Sequence, residues 1–207
     1  MLSFLFIAVL HAGAHGDTTG PAAIPAQEFR LDPSHASLVF SVNHLGLTNY
    51  TAGFDSFDAT LTLDPANPAA AKLTATINPS SLDLPSPPEG FLDAMLAAPW
   101  FDVATYPAIT FTSDSVTLTD EDSATVTGQM TMLGASAPVT LQVDLNGAIP
   151  AGTFEPHARI GFSATGEINR SAFGMTYGVP EPGSTAGVGD LVTFRIEAEF
   201  TGTIPAE

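Results

Sequence analysis

Residues 192–201 read Val192–Thr193–Phe194–Arg195–Ile196–Glu197–Ala198–Glu199–Phe200–Thr201, with apolar and polar side chains taking strict turns. Successive side chains of a β-strand point to opposite faces, so this run has one dry face and one wet face. The same period of two recurs along the chain. Leu38, Phe40, Val42 and His44 alternate with Val39, Ser41 and Asn43, and Phe57, Ala59, Leu61 and Leu63 with Asp58, Thr60 and Thr62. Runs at 72–78, 125–132, 139–146 and 159–165 follow suit, and 108–118 is a less regular strand. Strands with one wet face belong to antiparallel sheets, because buried parallel strands are apolar on both faces. Turn chemistry separates the runs at Asp64–Pro65–Ala66–Asn67–Pro68, Asp120–Glu121–Asp122, Leu133–Gly134–Ala135 and Asn146–Gly147. About eight strands result, enough to close a barrel and leave no exposed edge. The predicted fold is therefore all-β, an extended eight-stranded antiparallel barrel.

Several of these runs are longer than the usual strand of about five or six residues. A long barrel with an apolar lining either fills itself with side chains or holds something long and apolar. Small residues (Ala59, Ala75, Gly128, Ala164, Ala198) interleave with large ones on the inward face, which suits a cavity and equally the taper of a filled barrel. One segment departs from strand spacing. Glu89 to Ala98 places Phe91, Leu92, Met95 and Leu96 on one side of a short helix, between Leu84–Pro85–Ser86–Pro87–Pro88 and Pro99. It is expected to pack over one end of the barrel, as a plug or as a ligand-gating lid.

The chain has 207 residues, 44% hydrophobic and 13% charged, so it can bury a substantial core. Its charge is one-sided, with 22 Asp and Glu against 5 Lys and Arg and a formal net charge of -17. Such a surface repels nucleic acid and anionic membranes. Without cysteine it has neither disulfides nor thiolate chemistry. The opening residues MLSFLFIAVLHAGAHG set a short apolar run before Ala12–Gly13–Ala14, which reads as a secretory signal peptide over 1–16 lacking a basic start. Residues 17–27 read as a linker and 28–204 as the barrel, giving a periplasmic or secreted protein.

No catalytic constellation stands out. No H-E-x-x-H or G-x-S-x-G is present, and the Gly-rich 183–189 stretch has no basic partner for a phosphate. His35 and His44 with a carboxylate could be imagined around zinc, but isolated histidines are more often structural, so no metal is assigned. The residues expected to line a tunnel are Phe40, Val42, Phe111, Met130, Met132, Phe162 and Phe194, with Phe91 and Met95 contributed by the helix. His44 offers a polar tip on an apolar wall, suited to a ligand headgroup. Arg170 is expected to pair with such a headgroup or with a carboxylate such as Asp32, and Asn169 to cap the short turn that begins there.

Several segments share an order with a known family: Leu31–Asp32–Pro33–Ser34–His35, Phe40–Ser41–Val42–Asn43–His44–Leu45, Gly53–Phe54–Asp55–Ser56–Phe57, and Trp100–Phe101–Asp102–Val103 leading to Tyr106–Pro107 and Phe111. Val126 to Gly134, Gly161 to Ala164 and Ile168 to Met175 follow, ending in Val188–Gly189–Asp190. Together they resemble the YceI-like family of polyisoprenoid-binding proteins, over nearly the whole of 29–202. The resemblance implies a lipocalin-like barrel, a homodimer, and a long-chain isoprenoid or other amphiphile as ligand. One element departs: the family's Arg-Asp-x-His-Leu reads Leu92–Asp93–Ala94–Met95–Leu96 here, which favours a less anionic headgroup than a diphosphate. The expected function is a non-enzymatic carrier. It needs no cofactor beyond a bound lipid, such as an isoprenoid quinone or polyprenyl compound, and has a membrane as transient partner. The alternative is a surface or assembly module whose barrel is filled by its own side chains.

Overall fold

The computed structural model describes residues 24–152 and 155–205; the signal-peptide reading of 1–16 lies outside them. The elements in order are β1 (Gln27–His44), β2 (Thr48–Phe54), β3 (Phe57–Leu63), β4 (Lys72–Ile77), β5 (Leu82–Asp83), α1 (Phe91–Leu96), β6 (Ile109–Leu118), β7 (Ser123–Met132), β8 (Ala135–Ile149), β9 (His157–Asn169) and β10 (Val188–Pro205). All pairings are antiparallel. The first half of β1 pairs with β3 and its second half with β2, while β4 and β5 pair with β3 and β2 in turn. β2–β3 and β4–β5 thus act as two bent strands. Counted so, eight strands follow one another round the wall, and β10 closes on β1. The sequence-based barrel is this barrel.

The dry faces meet inside as expected. Phe40, Ile196, Phe194 and Val192 face the interior from the closing β1–β10 pair. Outside, hydroxyl ladders satisfy the wet faces across neighbouring strands: Ser41 Oγ and Thr51 Oγ1 lie 2.7 Å apart, and Ser115 Oγ and Thr127 Oγ1 2.8 Å. Threonine and serine pairs do here what charges do on most sheets. Leu133 (φ 53°) and Gly134 (φ 75°) form the two-residue turn between β7 and β8, both in the left-handed region that such hairpins require.

Three readings need correction. Asn146–Gly147 is no turn; it is a register irregularity within β8, between Leu145 and Gly147. The barrel also begins earlier than the linker reading allowed, since Ile24 is buried in the same core cluster as Phe29 and Ile160, and Gln27 already pairs with Leu63. The helix covers only Phe91–Leu96.

β1 carries the largest irregularity. Leu31 pairs with Phe200 and Ala36 with Ala198, so Asp32–Pro33–Ser34–His35 loops out opposite Glu199. Pro33 has no N–H for the ladder, and the Asp32 carboxylate accepts from Ser34 N (3.0 Å) and Ser34 Oγ (2.5 Å), which turns the chain back.

Candidate functional site

The interior holds a cavity of about 360 Å³ running along the barrel. Its wall is hydrocarbon and aromatic almost throughout. Where β6 meets β7, the Phe111 ring packs against Gly128, whose absent Cβ would stand 2.6 Å from Phe111 Cζ. Phe194 covers Gly166 in the same way, at 2.4 Å. The two glycines let these rings lie against the wall instead of across the lumen, which keeps the lumen open.

Of the residues expected to line a tunnel, Phe40, Val42, Phe111, Met130, Met132, Phe162 and Phe194 all face the cavity. Met95 joins them from α1, and Arg170 faces the same end. Two do not. His44 is exposed and lies outside the lining although its β10 partner Val188 belongs to it, because a register irregularity between Val42 and His44 interrupts the alternation there. Phe91 is 40% exposed at the first turn of α1, where Leu92, Met95 and Leu96 alone pack on the core.

Sequence reasoning missed Trp100, Phe101, Met175 and Val188, which come from loops and a strand start and close the helix-bearing end. Phe101 meets Phe54 edge-on at 5.6 Å, and Trp100 meets Tyr177 edge-on at 5.4 Å. At the opposite end the lining includes Pro65, Pro68 and Ala71 from the β3–β4 connection, Leu118 from the end of β6, and Glu121 and Asp122 from the β6–β7 connection. All but Leu118 lie in turns that carried no tunnel signal.

Arg170 is 3% exposed and its partners are neither Asp32 nor an open site. Nε donates to Gly189 O (2.9 Å), Nη1 to Met175 O and Tyr177 O (2.9 Å each) and Nη2 to Val188 O (2.8 Å). The guanidinium also stands 5.5 Å from the Trp100 ring centroid. Burial pushes its pKa down, and the nearby Asp190 charge opposes that shift. The turn beside it is capped from elsewhere than expected. Asn169 makes no side-chain cap bond; instead Asp190 accepts from Ser171 N (2.8 Å) and Ser171 Oγ (2.7 Å).

On the outer wall Arg159 donates to Glu155 (2.7 Å), Asp32 (2.9 Å) and Glu199. His35 Nδ1 lies 3.1 Å from Asp32 Oδ2. His35, Asp32 and Glu199 gather ligand-type atoms within 4.8 Å, but the Arg159 guanidinium already bridges the two carboxylates. His44 is absent from the group, so the imagined pairing of His35 with His44 around a metal does not form.

A family model for the YceI-like domain matches residues 29–200. Protein YceI of Salmonella agona is 35% identical over 180 residues, 85% of this chain and 86% of that one. Protein YceI of Salmonella arizonae is 36% identical over 163 residues, 77% and 81% of the two chains. Among solved structures, BcnA of Burkholderia cenocepacia superposes with a TM-score of 0.67 at 26% identity, covering 82% of this chain and 98% of that one. A polyisoprenoid-binding domain of Saccharophagus degradans, implicated in plant cell wall breakdown, shares the fold at a TM-score of 0.62 and 13% identity, covering 84% and 98%. A closed eight-stranded barrel with a lumen, matched from its first strand to its last, places this chain in the YceI-like family.

Proposed function

We propose that the protein is an exported carrier or sequestering protein that holds the chain of an isoprenoid-type lipid or similar amphiphile inside its barrel, without catalysing a reaction. The observation that carries this reading is the cavity, about 360 Å³, within the range of about 300–1,000 Å³ usual for small-molecule sites. Met130 and Met132 in its wall are flexible and polarisable, which suits a ligand of variable shape. The Saccharophagus degradans domain of like fold is a polyisoprenoid-binding one, and the apolar lining here suits a ligand of that class. An isoprenoid quinone or a polyprenyl compound fits it equally. The barrel is dry inside and polar outside, the reverse of a porin-type membrane barrel. Among the described residues no helix is long and apolar enough to cross a membrane.

Solvent extraction and mass spectrometry of the purified protein, with native mass spectra before and after delipidation, test the reading and count protomers. A stoichiometric long-chain compound is the expected result. A clean apo mass that also rejects added quinones, isoprenols and fatty amides would overturn it and leave a structural module.

A further inference from the structure

The two ends of the cavity differ. Among its described lining residues only Leu118, Glu121 and Asp122 are exposed, and all three lie at the end of β6 or in the turn after it. The wall is incomplete beside them. β4 and β6 pair only over Thr74–Ile77 and Ile109–Thr112, so β6 runs on from Ser113 to Leu118 beyond β4. Leu73 N there donates to Ser113 Oγ, 2.9 Å away, and the turn holding Pro65, Pro68 and Ala71 fills the rest of the lip. This is a mouth.

At the other end every lining residue is wholly or partly buried, among them Met95, Trp100, Phe101 and Met175. The cation there is spent. A guanidinium has five N–H donors, and Arg170 commits four of them to the carbonyls of Gly189, Met175, Tyr177 and Val188. It cannot present the paired donors with which arginine clamps a phosphate.

We propose that the cavity takes a single-chain amphiphile tail-first through the mouth beside the β6–β7 turn, and that the polar end left at that mouth is uncharged or cationic, not a phosphate. This deepens, and rests on, the lipid-holding reading above. The two turns around the mouth carry Asp64, Asp120, Glu121 and Asp122 against Lys72, and among the described residues none of these four carboxylates forms an ion pair. A diphosphate placed there meets the like charge of Glu121 and Asp122 in the lining, weakly screened at low salt. An alcohol, a quinone or an amine does not.

Two probe pairs test this on the delipidated protein. The first is geranylgeraniol against geranylgeranyl diphosphate, identical in chain and different in head. At low salt the alcohol should bind about tenfold or more tightly, with the ratio shrinking as salt rises. In the Glu121→Lys/Asp122→Lys variant the diphosphate should draw level. The second pair is stearate methyl esters carrying a nitroxide near the ester or near the chain end. Trp100, the chain's single tryptophan, sits at the sealed end, so the chain-end label should quench its fluorescence more strongly. Equal or tighter diphosphate binding in the unaltered protein, or stronger quenching by the ester-side label, overturns the proposal while the carrier reading survives. If no probe binds at all, the carrier reading itself has failed and this inference falls with it.

Discussion

Two arginines at the two ends of β9 solve the same problem in opposite ways. Arg159, near its start, lies on the outer wall and meets the carboxylates of Glu155, Asp32 and Glu199, all partly hydrated. Arg170, just past its end, lies inside and meets only carbonyl oxygens and an indole face. Outside, the attraction between full charges is diluted by water and salt, and each partner keeps much of its hydration. Inside, a charge without partners would be very costly, and backbone dipoles that themselves need donors satisfy it without bringing a second charge into the lumen. A buried arginine facing an apolar cavity is therefore no evidence for an anionic ligand. Its bonds tie Met175, Tyr177, Val188 and Gly189 together and hold the 175–189 segment, a strap across the sealed end of the barrel.

The largest expected effect follows from that difference. Arg170→Met should cost roughly 3–5 kcal/mol, because it strands several buried carbonyls at once. Arg170→Lys should recover little, since a compact ammonium with three donors cannot span four carbonyls held in a fan. Urea unfolding followed at Trp100 measures both, and the Met variant should also shift Trp100 emission to the red in the native state as the strap loosens. A cost below about 1 kcal/mol for Arg170→Met would put the two arginines in the same class and end the comparison.

Arg159→Met should cost about 1 kcal/mol, with the loss shrinking as salt is added, because its partners are partly exposed. Paired denaturation curves at low and high salt sharpen the contrast, since the Arg170→Met loss should hardly move. If the Arg159 loss proves independent of salt, its contribution is packing across β1, β10 and β9 and not charge.

How much of this was legible in the sequence follows from how local each signal is. The central run of β10 was legible because alternation over Val192 to Thr201 records face and strand together, and Phe194 and its neighbours on that face went where their parity sent them. β2 was not, because Thr48–Asn49–Tyr50–Thr51–Ala52–Gly53–Phe54 carries few apolar residues and a glycine, and its partners Val39 to His44 lie across a turn that only the fold reveals. His44 shows the limit of parity. By parity it belongs with Phe40 and Val42, yet the irregularity between Val42 and His44 breaks the alternation just before it, so His44 is exposed while its partner Val188 lines the lumen. Phe91 fails for a related reason, since a helix of six residues has too few turns to define a stripe and its first residue falls off the packed side. Trp100, Met175 and the mouth at Glu121 and Asp122 lie in turns or loops, whose placement depends on everything they connect. Arg170 was noticed as a rare cation, but its partners are backbone atoms, which leave no mark on sequence.

The smallest effect distinguishes the Arg159 side by pH. His35 is raised above the ordinary histidine value, first by its hydrogen bond to Asp32 and then by the charges of Glu199 and Asp32. Asp32 is held far below the usual carboxylate range, by bonds from Ser34 and His35 and then by Arg159. A histidine whose folded pKa is raised adds stability that is fully present below its unfolded value of about 6.5 and fades as pH rises through the folded value. A carboxylate whose folded pKa is depressed adds stability above about 3.9 that is lost only as pH falls through its far lower folded value. The two windows overlap between about pH 4 and 6.5, where the imidazolium and carboxylate are both charged. His35→Gln should therefore lower Tm measurably near pH 5 and leave it almost unchanged at pH 8.5, with Arg159 still holding Asp32 at both. Thermal melts of the two proteins across this range check the sign. A His35→Gln penalty that is constant, or that grows with pH, would mean that the imidazole acts there as a neutral hydrogen-bonding group. The outer wall would then owe its charge balance to Arg159 alone. Arg170 offers no counterpart to this test, because an arginine bound to carbonyls neither gains nor loses a charged partner over the same range.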